Sequence, residues 1–141
     1  MEVIGVSAVH KSIELDHNAL SKYLADAAGR RSKLGEYDCV RFVIEALYAG
    51  WRVDYRNILG YQDRRTVIDR LRIAGGLEQA FTDELGPPVN PADLLPGDIA
   101  YFQDPAVGLV MPGYIAVKVR STIGRVPLQF ANKGWHAWVR S

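Results

Sequence analysis

The chain has 141 residues, is 48% apolar and 23% charged, and carries a formal net charge of +1. That balance excludes a disordered polyelectrolyte and removes any bulk electrostatic case for nucleic acid or an acidic surface. A lone cysteine cannot close an internal disulfide, and no stretch reaches the roughly 18–20 apolar residues of a membrane helix.

Residues 1–15 are read as an N-terminal arm, and residues 16–141 as one domain. Glu2 and the lack of a basic leader argue against a secretory signal. From Asp16 the pattern is helical. Leu20, Tyr23, Leu24 and Ala27 recur on one helix face, Asp16 can cap the first turn, and Gly29 stands where the helix stops. The basic run Arg30, Arg31 and Lys33 reads as a solvated loop. A second helix starts from Asp38 as N-cap, with Val40, Val43, Ile44 and Leu47 as its buried stripe. Arg41 and Glu45 are four apart on a more exposed face and can pair. Gly50 is read as the end, with Trp51 over the core edge. In Trp51–Arg56 the aromatic residues are expected on the core and the arginines in water, in preference to base stacking.

The segment YQDRRTVIDRLRIAGG (61–76) predicts a third helix. Val67, Ile68, Leu71 and Ala74 face inward, Arg64, Arg65, Arg70 and Arg72 face out, and Gly75 and Gly76 stop it. LEQAFTDELG predicts a shorter helix closed by Gly86, Pro87 and Pro88, with Asp83 and Glu84 facing solvent. Strands follow. Pro96 and Gly97 form a turn that launches a strand from Asp98 to Phe102. GYIAVKVR, VPLQFA and the terminal AWVRS are further strands. Pro112, Gly113, Gly124 and Gly134 are read as connections. Helices followed by four or five short strands predict an α+β fold, with the helices on one side of a largely antiparallel sheet.

Cys39 carries the chemical question. A thiol at a helix N-terminus feels the positive end of the helix dipole, which favours the thiolate. Asp38 beside it opposes a second negative charge. A nucleophilic cysteine also needs a base within hydrogen-bond reach. On local features alone, a small core residue is the better reading. Metal and cofactor sites are not expected: there is no CxxC, no HExxH and no phosphate loop, and His10, His17 and His136 are widely separated.

The order of Asp38-Cys39 at a helix head, Gly75-Gly76, Gly97-Asp98, the strand AVGLVMPG and the terminal Ala137-Trp138-Val139-Arg140 resembles the NlpC-type cell-wall cysteine peptidases. The closer resemblance is to a divergent branch found in the tail modules of long-tailed bacteriophages. It implies a papain-like fold, with Cys39 at the position of the nucleophile. It also implies a histidine at the start of the AVGLVMPG strand, where this chain has Ala106. A positioned acid or base is worth roughly 10² to 10⁴ in rate, so its loss is severe. His136, in GWHAWVR, is the remaining candidate base, although its place in the chain differs from the family's.

The function expected from the resemblance is a structural or assembly protein of a phage tail tip or baseplate, on a degenerate peptidase fold. The alternative is an active tail peptidase that cleaves peptidoglycan cross-peptides. The expected location is the virion, after synthesis in the host cytoplasm. Expected partners are other tail-tip proteins, and peptidoglycan if activity remains. Nucleic acid and a membrane span are not expected. Docking candidates are the N-terminal arm, the segment around Trp135 and Trp138, and the Arg64–Arg72 helix face.

Overall fold

The computed structural model describes residues 15–31, 38–55, 69, 72, 73, 75–103 and 106–137. Within them lie helices α1 (His17–Ala28), α2 (Cys39–Trp51) and α3 (Leu77–Leu85), and strands β1 (Ile99–Phe102), β2 (Ala106–Met111), β3 (Tyr114–Val119), β4 (Thr122–Val126) and β5 (Lys133–Trp135). The architecture is α+β, and the five strands form one antiparallel sheet in the order β4-β3-β2-β1-β5.

The caps of α1 are those its sequence predicts. Asp16 accepts from the Ala19 N–H at 3.0 Å, and the Gly29 N–H closes the other end on Ala27 and Asp26 carbonyls. Leu20 and Ala27 are buried, with Tyr23 and Leu24 packed against them. The predicted stripe of α2 is likewise buried, joined by Phe42, Ala46 and Trp51. Arg41 and Glu45 pair at 3.7 Å. Gly50 does not end this helix, which runs on to Trp51 and is capped by Arg52 in the left-handed conformation, φ 59°. The glycine serves helix packing instead. A Cβ there would lie 3.0 Å from Leu15 Cδ1 and 3.3 Å from Leu20 Cβ, so its absence lets α1 cross closely. The Asp16 N–H bonds the Gly50 carbonyl at 2.7 Å across the same crossing.

Most of the helix expected over 61–76 lies outside the described residues. Asp69, Arg72 and Ile73 are helical, Gly75 follows with φ 93° and its N–H on the Arg72 carbonyl, and Gly76 is the N-cap of α3. Helix α3 occupies the predicted segment and ends at Gly86.

Strands β1 to β4 form a meander, β2–β3 turning at Pro112 and Gly113 and β3–β4 at Arg120 and Ser121. The chain then crosses the back of the sheet and returns to pair β5 with the free edge of β1. Two expectations change here, and the strand expected over AWVRS falls mostly outside the described residues. VPLQFA is not a strand beyond Val126: Pro127 has no N–H to continue a ladder, and Leu128–Phe130 close a 3₁₀ turn. The last described strand is Lys133–Trp135, with Ala137 outside it, while residues 138–141 of AWVRS lie beyond the described part. Gly124 and Gly134 sit inside β4 and β5, not in connections. At Gly134 a Cβ would fall 2.4 Å from the Ile99 carbonyl oxygen and 2.7 Å from Leu94 Cδ2, so close backbone approach requires glycine.

The sheet has two apolar faces. Ile99, Tyr101, Val107, Leu109 and Ala116 share the main core with the helices. Ala100, Val110 and Ile115 point the other way, under Leu94, Leu128 and Ala131 from the loops before β1 and after β4. The period-two alternation of strands produces this division.

Candidate functional site

Cys39 is the first residue of α2. Asp38, as N-cap, turns its Oδ1 onto the N–H groups of Val40 (3.0 Å) and Arg41 (3.1 Å). The capping bonds hold the aspartate beside the sulfur, where its charge opposes ionisation. Helix α2 packs on β2 and β3, so its head comes down at the start of β2. There the Val107 N–H faces the sulfur. The reason lies in the sheet. Val110 uses its N–H and carbonyl on the β1 side, and groups alternate along a strand, so the Val107 N–H points to the β3 side. The β2–β3 ladder stops at the pair Leu109–Ala116, which leaves that N–H beyond its end.

The competition left open by the local sequence resolves against the thiolate. Burial pushes the Cys39 thiol up to about 11, and the Asp38 charge adds to the rise. The N–H groups of Val107, Cys39 and Val40 act in the opposite direction without compensating. Burial dominates because it removes the water that would solvate the charged form. Ala106, next to Val107, is partly buried, pairs with Phe102 in the β1–β2 ladder and offers only a methyl group.

His136 lies elsewhere. Its Nδ1–H donates to Asp98 Oδ2 at 2.9 Å, with the imidazole 44% exposed and the carboxylate fully buried. The sheet register sets it apart from the start of β2, where the sulfur lies. His136 follows Trp135, which pairs with Ile99, and the Asp98 carbonyl accepts from the Val110 N–H. Val110 is three residues along β2 from Val107, about 10 Å at ~3.3 Å per residue, and β1 intervenes between β2 and β5. The structure therefore does not bring His136 to Cys39. His17 begins α1 and is exposed, while His10 lies outside the described residues.

The residue that sequence reasoning passed over is Asp98. It was visible as half of a Gly-Asp turn, but its side chain does more than start a strand. Oδ2 accepts from the Leu95 N–H at 2.8 Å as well as from His136, and Oδ1 accepts from the Ala137 N–H at 3.3 Å. The Tyr55 hydroxyl donates to the Ala137 carbonyl at 2.9 Å. A buried carboxylate thus gathers the loop before β1 and the chain after β5. Asp98→Asn replaces one acceptor oxygen with a donor that faces other donors. A loss of about 1–2 kcal/mol is expected in urea unfolding.

Two docking expectations also meet the structure. Trp135 is fully buried, so it offers no docking surface, and Trp138 lies outside the described residues. Of the arginine face, Arg72 is described, exposed and paired with Asp69 at 2.7 Å. In Trp51–Arg56, Trp51 and Val53 are buried and Arg52 is exposed, as a loop with its aromatics on the core requires. Among the described residues no three His, Cys, Asp or Glu side chains group as a metal site, and no helix is long and apolar enough to cross a membrane.

One family model matches the chain, over residues 14–137, and its description is a domain of unknown function, DUF6950. No curated protein and no solved structure matches.

Proposed function

Taking as premise that this chain belongs to the DUF6950 family, we propose that it is a non-catalytic structural module of a bacteriophage tail tip or baseplate, on a degenerate NlpC-type, papain-like peptidase fold. The observation that carries the reading is the surroundings of the Cys39 sulfur. The thiol is held neutral by burial, and the side chain nearest in sequence to its Val107 contact is Ala106. The only described imidazole past α1 is engaged by Asp98. A hydrolase of this type needs a group to take the thiol proton and return it to the leaving amine. Among the described residues no side chain beside this sulfur does either. The order of the Asp-Cys, Gly-Gly, Gly-Asp and Ala-Val-Gly motifs supports descent from such hydrolases, and with it a place in the virion among other tail proteins.

One observation favours the active alternative. The Val107 N–H and the first-turn amides of α2 surround the sulfur, and such donors also stabilise negative charge. The two readings separate in a digest. Purified peptidoglycan fragments incubated with the protein are expected to gain no new amine termini by mass spectrometry. Phage carrying Cys39→Ala are expected to keep infectivity within about tenfold of the parent, against the roughly 10² to 10⁴ lost with a catalytic group. New amine termini that vanish in Cys39→Ala would overturn the non-catalytic reading.

A further inference from the structure

Arg30 and Arg31 after α1 are exposed, as a solvated loop requires, but the Arg30 backbone is tied down. Lys118 on β3 is 7% exposed, and its Nζ donates to the carbonyls of both Arg30 and Arg120. One ammonium shared by two carbonyls brings them within two hydrogen-bond lengths, roughly 6 Å. The end of α1 and the β3–β4 turn are thereby clamped side by side. Glu45 of α2 joins the group, with Arg30 at 3.6 Å on one oxygen and Arg41 at 3.7 Å on the other.

Arg30, Arg31, Arg41, Lys118 and Arg120 therefore lie at one end of the molecule, where Arg30 and Arg41 share the Glu45 carboxylate and Lys118 ties the backbone of Arg30 to that of Arg120. The Lys118 ammonium is shifted down by burial and then by the Arg30 charge. Arg31 and Arg120 are exposed, and neither has a side-chain partner among the described residues.

Arg120 adds an independent observation. It holds φ at 50°, a conformation that suits glycine or asparagine in a tight hairpin. The turn itself gives no reason for an arginine, which adopts this conformation at a local cost.

We propose that this basic end is a docking surface for an acidic, carboxylate-rich polypeptide segment of a partner protein. Guanidinium forks match carboxylates in bidentate geometry, and the Arg30–Glu45–Arg41 arrangement already presents two of them to one carboxylate. The overall charge of +1 supplies no bulk field, so attraction here rests on the local concentration of cations. The identity of the partner as a tail protein rests on the reading given above, while the surface itself does not. Peptide binding and wall-fragment cleavage are separate measurements, so either reading can fail alone.

The test is fluorescence anisotropy with a labelled ten-residue glutamate peptide. Binding is expected to weaken about tenfold between about 50 and 200 mM salt. Arg31→Glu is expected to weaken it by at least about tenfold, and Arg72→Glu to leave it unchanged. Arg120→Gly separates docking from folding: peptide affinity falls, while Tm stays level or rises because glycine suits the turn. Absence of binding at low salt, or equal binding by wild type, Arg31→Glu and Arg120→Gly, would overturn the proposal. Tighter binding of an oligothymidylate than of a glutamate peptide of equal charge would overturn it too, since it would assign the surface to phosphate.

Discussion

Trp135→Ala is expected to cost about 3–5 kcal/mol, the range for removing a large aromatic side chain from a core. Among the described residues Trp135 is the largest fully buried side chain. Its ring stacks on Phe81 of α3 at 5.2 Å and meets Tyr101 of β1 edge-on at 5.7 Å. Its Nε1–H donates to Thr82 Oγ1 at 3.3 Å. These contacts join α3 to β5, and β5 is only three residues long. Few ladder bonds hold so short a strand, so side-chain packing fixes it. The alanine would leave a void between α3, β1 and β5. It would also loosen the strand that delivers His136 and Ala137 to Asp98. Thermal unfolding should show Tm lowered by about 10–20 °C. Trp135→Phe keeps most of the packing and loses the hydrogen bond, so a drop of about 1–2 kcal/mol is expected. If both variants unfold within 2–3 °C of wild type, by about the resolution of such scans, β5 is not anchored as described.

Cys39 is expected to alkylate with iodoacetamide at least about tenfold more slowly than a small exposed thiol at pH 7.5. With the thiol pushed up to about 11 from an ordinary 9.0, its thiolate population is about a hundredfold smaller. The greater nucleophilicity of a more basic thiolate recovers roughly tenfold of that. Cys39 is only partly exposed, which restricts access and slows the reaction further. The rate should climb with pH through about pH 10 without a plateau. An activated nucleophile would give a fast rate and a plateau near or below neutrality, and that profile would end the non-catalytic reading.

The same shift affects stability, with a definite sign. The folded thiol holds its proton more tightly than the unfolded one. Its contribution is therefore complete below about pH 9 and declines as pH rises from there through about 11. The amount at stake is roughly 2–3 kcal/mol. In Cys39→Ala this part of the alkaline loss should disappear, leaving a flatter stability profile between about pH 9 and 11.

Most of the helical part of the fold was legible in local sequence. Asp16, Asp38 and Gly29 each satisfy helix-end groups from within a few residues, so no distant partner was needed to place them. Gly50 misleads for the opposite reason. It looks like a stop signal, but its role is set by Leu15 and Leu20 on another helix. The β half reads less well. Gly124 and Gly134 resemble turn residues, and only the strand that presses against each explains it. Trp135 resembled an exposed docking residue until α3 and β1 closed over it.

By itself the sequence determined the α+β class, the capped helix beneath Cys39, the two-residue turn at Pro112 and Gly113, and the lack of histidine at position 106. These follow from chain-local rules: capping, periodicity, backbone restriction and residue identity. Tertiary structure alone decided that β5 returns to the edge of β1 and that Asp98 is the buried acceptor for both flanking loops. It also decided that Lys118 draws Arg30 and Arg120 together, and that the Cys39 thiol stays protonated. Each of those depends on desolvation or on groups brought together from far along the chain. Neither spacing nor composition encodes how much water a folded neighbourhood excludes.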